Sequence, residues 1–111
     1  AAEILYLFDG GAYADRAVTI SKAAGLDCTG PYSIKHVSCD SLCMYTTHPY
    51  ATSFRGFGHA EYTFVIERMI DILANKVDMC PFEFRIKNAI ELGDTTPTQV
   101  AVTKSNTGDI K

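Results

Sequence analysis

Between Gly58 and Asn75 the chain places Tyr62, Val65, Ile66, Met69, Ile72 and Leu73 at the spacing of one helical face. Glu61, Arg68, Asp71 and Asn75 fall at other angles. This pattern predicts a helix over residues 59–75, the longest regular element the sequence supports. A helix with one apolar stripe must bury it against another layer. The expected layer is a sheet that includes residues 3–8, where EILYLF reads as a buried strand. The turn chemistry of Asp9, Gly10 and Gly11 ends that run.

The remaining segments fill in around this pair. From residue 13 to about 24, Ala14, Ala17, Val18, Ile20, Ser21 and Ala24 suit a close-packed helix, and Gly25 is placed to end it. Gly30 and Pro31 make a turn. YSIKHVSCDSLCMYT then alternates loosely. Ile34, His36, Ser38, Asp40 and Leu42 share one parity, and Lys35, Val37, Cys39, Ser41 and Cys43 share the other. Neither face is cleanly apolar, so one or two short strands are expected, with His36 in a strand. Pro81 fits a first helical position; Phe82, Ile86, Ala89 and Ile90 line one face as far as Leu92, and Gly93 stops the helix. Residues 95–111 are polar and turn-rich and are expected to form a loosely packed tail. The reading is α+β, a small sheet packed against two or three helices. Residues 1–111 form a single domain or an excised segment of one.

Composition removes several classes. Hydrophobic residues make up 47% of the 111 and charged residues 21%, which is enough to build a core. The net charge of −3 and scattered basic residues give no footprint for nucleic acid. No apolar run is long enough to span a membrane, and no signal peptide is visible. The opening AAEILYLF, without an initiator methionine, suits an excised or processed chain. Cys28, Cys39, Cys43 and Cys80 contain no C-x-x-C pair, so free thiols in a reducing, cytoplasmic setting are expected ahead of zinc or a disulfide. His36, His48 and His59 show no metal-ligand spacing, and His48 and His59 read as loop residues.

SFRGFG, residues 53–58, is the segment with chemical content. A helix starting near Gly58 or His59 leaves backbone N–H groups unpaired in its first turn, and its dipole favours negative charge there. Arg55 adds a forked cation, so phosphate, carboxylate or an oxyanion would be a natural guest. Phe54 and Phe57 would wall such a site and stack on a flat ring. The same six residues also suit ordinary turn glycines, core phenylalanines and an arginine paired with a carboxylate. The residues alone leave both readings open.

Taken in order, GAYAD, TGPYSI, YTTHPYATSFRGFGHAEYTFVIE, CPFEFRIKNAI and GDTTPT resemble the large, molybdenum-cofactor-binding subunit of the molybdenum hydroxylases. That family includes xanthine dehydrogenases, aldehyde oxidoreductases, carbon monoxide dehydrogenase and nicotinate dehydrogenase. The likeness runs from about residue 4 to 97. It is strongest in the threonine-rich turn with R-G-F-G, the helix carrying Glu67, and Pro81, Glu83, Arg85 and Asn88 at fixed spacing. The resemblance implies oxidation of an N-heterocycle or aldehyde, with molybdopterin-bound molybdenum as cofactor and iron–sulfur and flavin subunits or domains as partners. It places Arg55 and Gly56 against the cofactor and Phe57 against a ring substrate, with Phe54 in support.

No catalytic residue and no metal ligand is expected within the segment. The family's glutamate base and other pterin loops lie outside the matching stretch, and no cysteine pattern suits an iron–sulfur cluster. Glu61, Glu67 and Glu83 read as surface or ion-paired carboxylates, Asp9 as a turn residue, and Arg85 and Asn88 as structural groups. Alone, the segment is expected to hold no molybdenum, to turn over nothing and to self-associate through exposed apolar surface. The alternatives from other classes are a stand-alone anion- or nucleotide-binding module and a structural fragment that requires a partner.

Overall fold

The computed structural model describes residues 1–104. The element order is β1 (Ala2–Asp9), α1 (Ala17–Leu26), β2 (Val37–Met44), α2 (His59–Lys76) and α3 (Pro81–Asn88). β1 and β2 pair in parallel, from Ala2 opposite Val37 to Asp9 opposite Met44. Parallel neighbours need a crossover, and α1 supplies it, lying on one face of the two-stranded sheet. The architecture is α+β, and β1 and α2 fall where the sequence pattern puts them to within one or two residues.

Several boundaries differ, each for a local reason. Ala17 N–H donates to Ala14 O at 2.8 Å, closing a turn in which Asp15 has φ 35°, so α1 begins only at Ala17. Gly25 lies inside α1 rather than ending it: a Cβ there would sit 3.2 Å from Ser41 Cβ, so the missing side chain lets helix and strand approach. α3 stops at Asn88, four residues before Leu92. Ala89 turns extended to bridge Tyr32, and Ile90 N–H donates to Pro31 O at 2.9 Å. β2 is one strand of eight residues. His36 lies just before it, with its carbonyl accepting from Ala2 N–H.

Tyr62 joins two small cores. One gathers Tyr6, Ala24 and Cys28, and the other Tyr32, Ile66 and Ile70. On α2 the buried residues are Ile66, Ile70 and Ala74, one residue every four. Of the expected face, Ile66 is buried and Tyr62 packs against both clusters, whereas Val65, Met69, Ile72 and Leu73, expected to be buried with them, are each 38–45% exposed. α2 packs on α1 and α3 and meets the sheet layer through Tyr62, in place of the direct sheet contact expected.

β2 turns Val37, Cys39, Ser41 and Cys43 inward. The polar Ser41 is tolerated because its hydroxyl donates to Ser21 O at 2.7 Å and lies 2.8 Å from Ser21 Oγ. β1 is buried on one face only. Leu5 and Leu7, with Leu42 and Met44 of β2, stand exposed on the other. Parallel sheets are ordinarily covered on both faces, so this open apolar face has the character of an interface. No helix of the described residues is long and apolar enough to cross a membrane. Residues 95–104 include a bridge between Thr95 and Ala101 and a buried Val102; the rest of the expected tail lies outside the described residues.

Candidate functional site

The loop before α2 has an unusual backbone. Gly56, Phe57 and Gly58 carry φ values of 109°, 51° and 94° in succession. Gly58 must lack a side chain, because a Cβ would lie 2.6 Å from Ile20 O on α1. Phe57 has no such licence. A non-glycine residue with positive φ costs on the order of 1 kcal/mol, and such strain is concentrated at functional sites.

The side chains on this loop are displayed rather than packed. Phe54 is fully exposed, Phe57 is half-buried, and Arg55 is exposed with no ion pair or hydrogen bond among the described residues. A core role for Phe54 and a carboxylate partner for Arg55 are thus both absent here. α2 begins directly behind the loop, with Gly58 as an N-cap that supplies no side-chain bond. His59 N–H donates to Gly56 O, whereas the N–H groups of Ala60 and Glu61 have no acceptor among the described residues. Glu61 in the same turn already offsets the helix dipole, so an incoming anion depends on Arg55 for its counter-charge.

A second polar cluster fastens α2 to α3. Arg85 Nε donates to Glu67 Oε2 and Nη1 to Asp71 Oδ1, both at 2.8 Å, while Tyr32 Oη donates to Glu67 Oε1 at 2.8 Å. The bonds to Asp71 and then Glu67 hold the guanidinium pKa above its ordinary value. Burial, reinforced by Glu67, pushes the Tyr32 hydroxyl up to about 12. Asn88 Nδ2 donates to Phe84 O at 2.7 Å. Arg85 and Asn88 therefore act structurally, and Glu67 is an ion-pair carboxylate. His59 is the first residue of α2, with Nδ1 3.1 Å from Tyr62 Oη.

One grouping was not visible in the sequence. Asp9, read as a turn residue, gathers Gly11, Thr46 and His48 around its carboxylate. The bonds from Thr46, His48 and Gly11, in that order, lower its pKa. The residues are 37 and 39 positions apart, and no local pattern links them. No group of three or more His, Cys, Asp or Glu among the described residues could hold a metal ion.

The loop thus brings together, on a small α+β unit, an exposed arginine without an ion pair among the described residues, a phenylalanine at positive φ and a helix start. Comparison with known proteins gives the family: residues 1–89 match the molybdopterin cofactor-binding domain, and the chain belongs to that family. The chain is 35% identical over 85 residues to the nicotinate dehydrogenase large molybdopterin subunit of Eubacterium barkeri, covering 77% of this chain and 20% of that protein. It is 33% identical over 93 residues to the aldehyde oxidoreductase of Megalodesulfovibrio gigas, covering 84% of this chain and 10% of that one. The crystal structure of the aldehyde oxidoreductase from Desulfovibrio desulfuricans superposes with a TM-score of 0.84 at 28% identity, over 90% of this chain and 11% of that chain. The chain thus spans about a tenth to a fifth of the length of these relatives.

Proposed function

We propose that this chain works as part of the large subunit of a cytoplasmic molybdenum-dependent hydroxylase that oxidises an N-heterocycle or an aldehyde. Arg55 and the backbone at Gly56 hold the molybdopterin, and Phe57 faces the ring of the substrate. The observation that carries this reading is Arg55, without an ion pair among the described residues, beside a Phe57 held at φ 51°, in front of a helix start whose first N–H groups have no acceptor among those residues. An anionic pterin cofactor suits that donor set: one forked cation, backbone N–H groups and a flat apolar neighbour.

When bound, the molybdenum centre supplies the transfer of a water-derived oxygen to an electron-poor carbon and the uptake of two electrons. The residues of this chain bind and orient. Arg55 supplies charge-assisted hydrogen bonds to the cofactor. Phe57 stacks on the substrate and keeps water from one side of the site. The residue that moves the proton lies elsewhere in the subunit, and electrons leave through iron–sulfur and flavin partners. The exposed sheet face of Leu5, Leu7, Leu42 and Met44 is the surface on which the rest of the large subunit packs. Metal and pterin analysis of the full-length protein carrying this chain tests the reading: molybdenum and pterin in equal amounts support it, and their absence from correctly assembled protein overturns it.

A further inference from the structure

We infer that Asp9 and His48, with Thr46, form a latch that fixes one end of residues 52–57 and so sets where Arg55 stands. Both are positioning residues for the cofactor loop, and this rests on the reading of Arg55 given above. Asp9 ends β1, and its Oδ1 accepts from Gly11 N–H at 3.0 Å and from the Thr46 hydroxyl. Its Oδ2 lies 2.7 Å from His48 Nδ1. Both carboxylate oxygens are thereby spent on the segment that leads to the loop.

The backbone follows the same seam. Thr46 N–H donates to Gly11 O at 3.0 Å, Ala12 N–H to His48 O at 3.0 Å, and Ala51 N–H to Gly10 O at 3.2 Å. Gly11, at φ 73°, lies so near Pro49 that a Cβ would fall 2.3 Å from its carbonyl oxygen. Residues 46–51 are thus stitched to the turn after β1. Gly58, pressed on α1, is the anchor at the other end. Between the two, residues 52–57 make one hydrogen bond among the described residues, from His59 N–H to Gly56 O. A loop with a single backbone hydrogen bond of its own takes much of its position from its anchors.

The pair of Asp9 and His48 is exposed, at 46% and 72% of the side chains, so it adds little to global stability. Its loss should loosen the loop locally and leave the fold standing, which separates positioning from mere structural support. Hydrogen exchange measured by mass spectrometry on the full-length enzyme, with and without cofactor, reads this directly. Asp9→Ala and His48→Ala should each speed exchange over residues 51–57 by about threefold, the scale of an exposed ion pair. The double variant should add little further, and residues 62–76 should exchange as in the wild type. His48→Gln, which keeps an N–H for Asp9, should restore part of the protection.

Unchanged exchange in His48→Ala, or fully additive effects in the double variant, overturns the latch. Because His48 is at the surface, its variant folds even if Asp9→Ala does not. Arg55→Ala separates the two ideas. Loss of molybdenum in Arg55→Ala with wild-type exchange in the latch variants refutes the latch alone. Retained molybdenum in Arg55→Ala with faster exchange in the latch variants refutes the cofactor reading and leaves the latch standing.

Discussion

Arg85 on α3 reaches Glu67 and Asp71, one turn apart on α2, and binds each at 2.8 Å through a different nitrogen. The contact fixes the crossing of the two helices, where α3 itself has no fully buried residue. The three side chains are 29–39% exposed, which places the pairs between buried and surface ion pairs. Arg85→Ala would leave two carboxylates facing each other without a cation. The expected loss is about 1–2 kcal/mol, after solvent screening reduces the worth of charged hydrogen bonds. Thermal or urea unfolding checks it. Arg85→Lys should lose part of this, because an ammonium lacks the fork that spans both acids.

Alkaline solution should weaken the fold. Burial pushes Cys28 from 9.0 to about 12, and it likewise pushes Tyr6 and Tyr32 from 10.0 to about 12. A group with a raised folded pKa favours the native state below its unfolded value, and the advantage is lost as pH climbs toward the folded one. Stability should therefore hold to about pH 9 and fall between there and about pH 12. Urea midpoints across that range measure it. Tyr6→Phe should flatten part of the slope, since it removes a titrating hydroxyl that is buried without a hydrogen-bond partner among the described residues.

How far the sequence could be read depends on whether the deciding contact was local. α2 was legible because its period and the glycines before it are written in consecutive residues. Which of its stripes faces inward was not, because α2 carries apolar residues around most of its circumference. Tertiary packing selected Ile66, Ile70 and Ala74. β2 was blurred for a related reason: Ser41 on the inner face is satisfied by Ser21, twenty residues away. The glycine loop announced itself through residue types alone, yet its strain at Phe57 and the lack of a partner for Arg55 among the described residues required coordinates. The grouping of Asp9 with His48 had no sequence signal at all.

The isolated chain should self-associate. Leu5 and Leu7 are 60% and 59% exposed on the open sheet face, beside Leu42 and Met44 at 50% and 43%. Contiguous apolar surface of this kind drives association. Sedimentation equilibrium should show a concentration-dependent rise in mass. Leu7→Lys should suppress it without unfolding the monomer, because that side chain already faces solvent. A strictly monomeric species at high concentration would contradict the expectation.

The central claim concerns Arg55 in the full-length enzyme, and molybdenum content of Arg55→Ala measured beside Phe57→Ala tests it most directly. A charge-assisted hydrogen bond is worth roughly 1.5–3 kcal/mol. Removing it should lower cofactor occupancy about tenfold or more, at ~1.4 kcal/mol per decade. The melting temperature should change little, since Arg55 is exposed and makes no hydrogen bond or ion pair among the described residues. Phe57→Ala should keep its molybdenum and raise KM for a ring substrate. A stably folded Arg55→Ala enzyme with full molybdenum and full turnover would contradict the account.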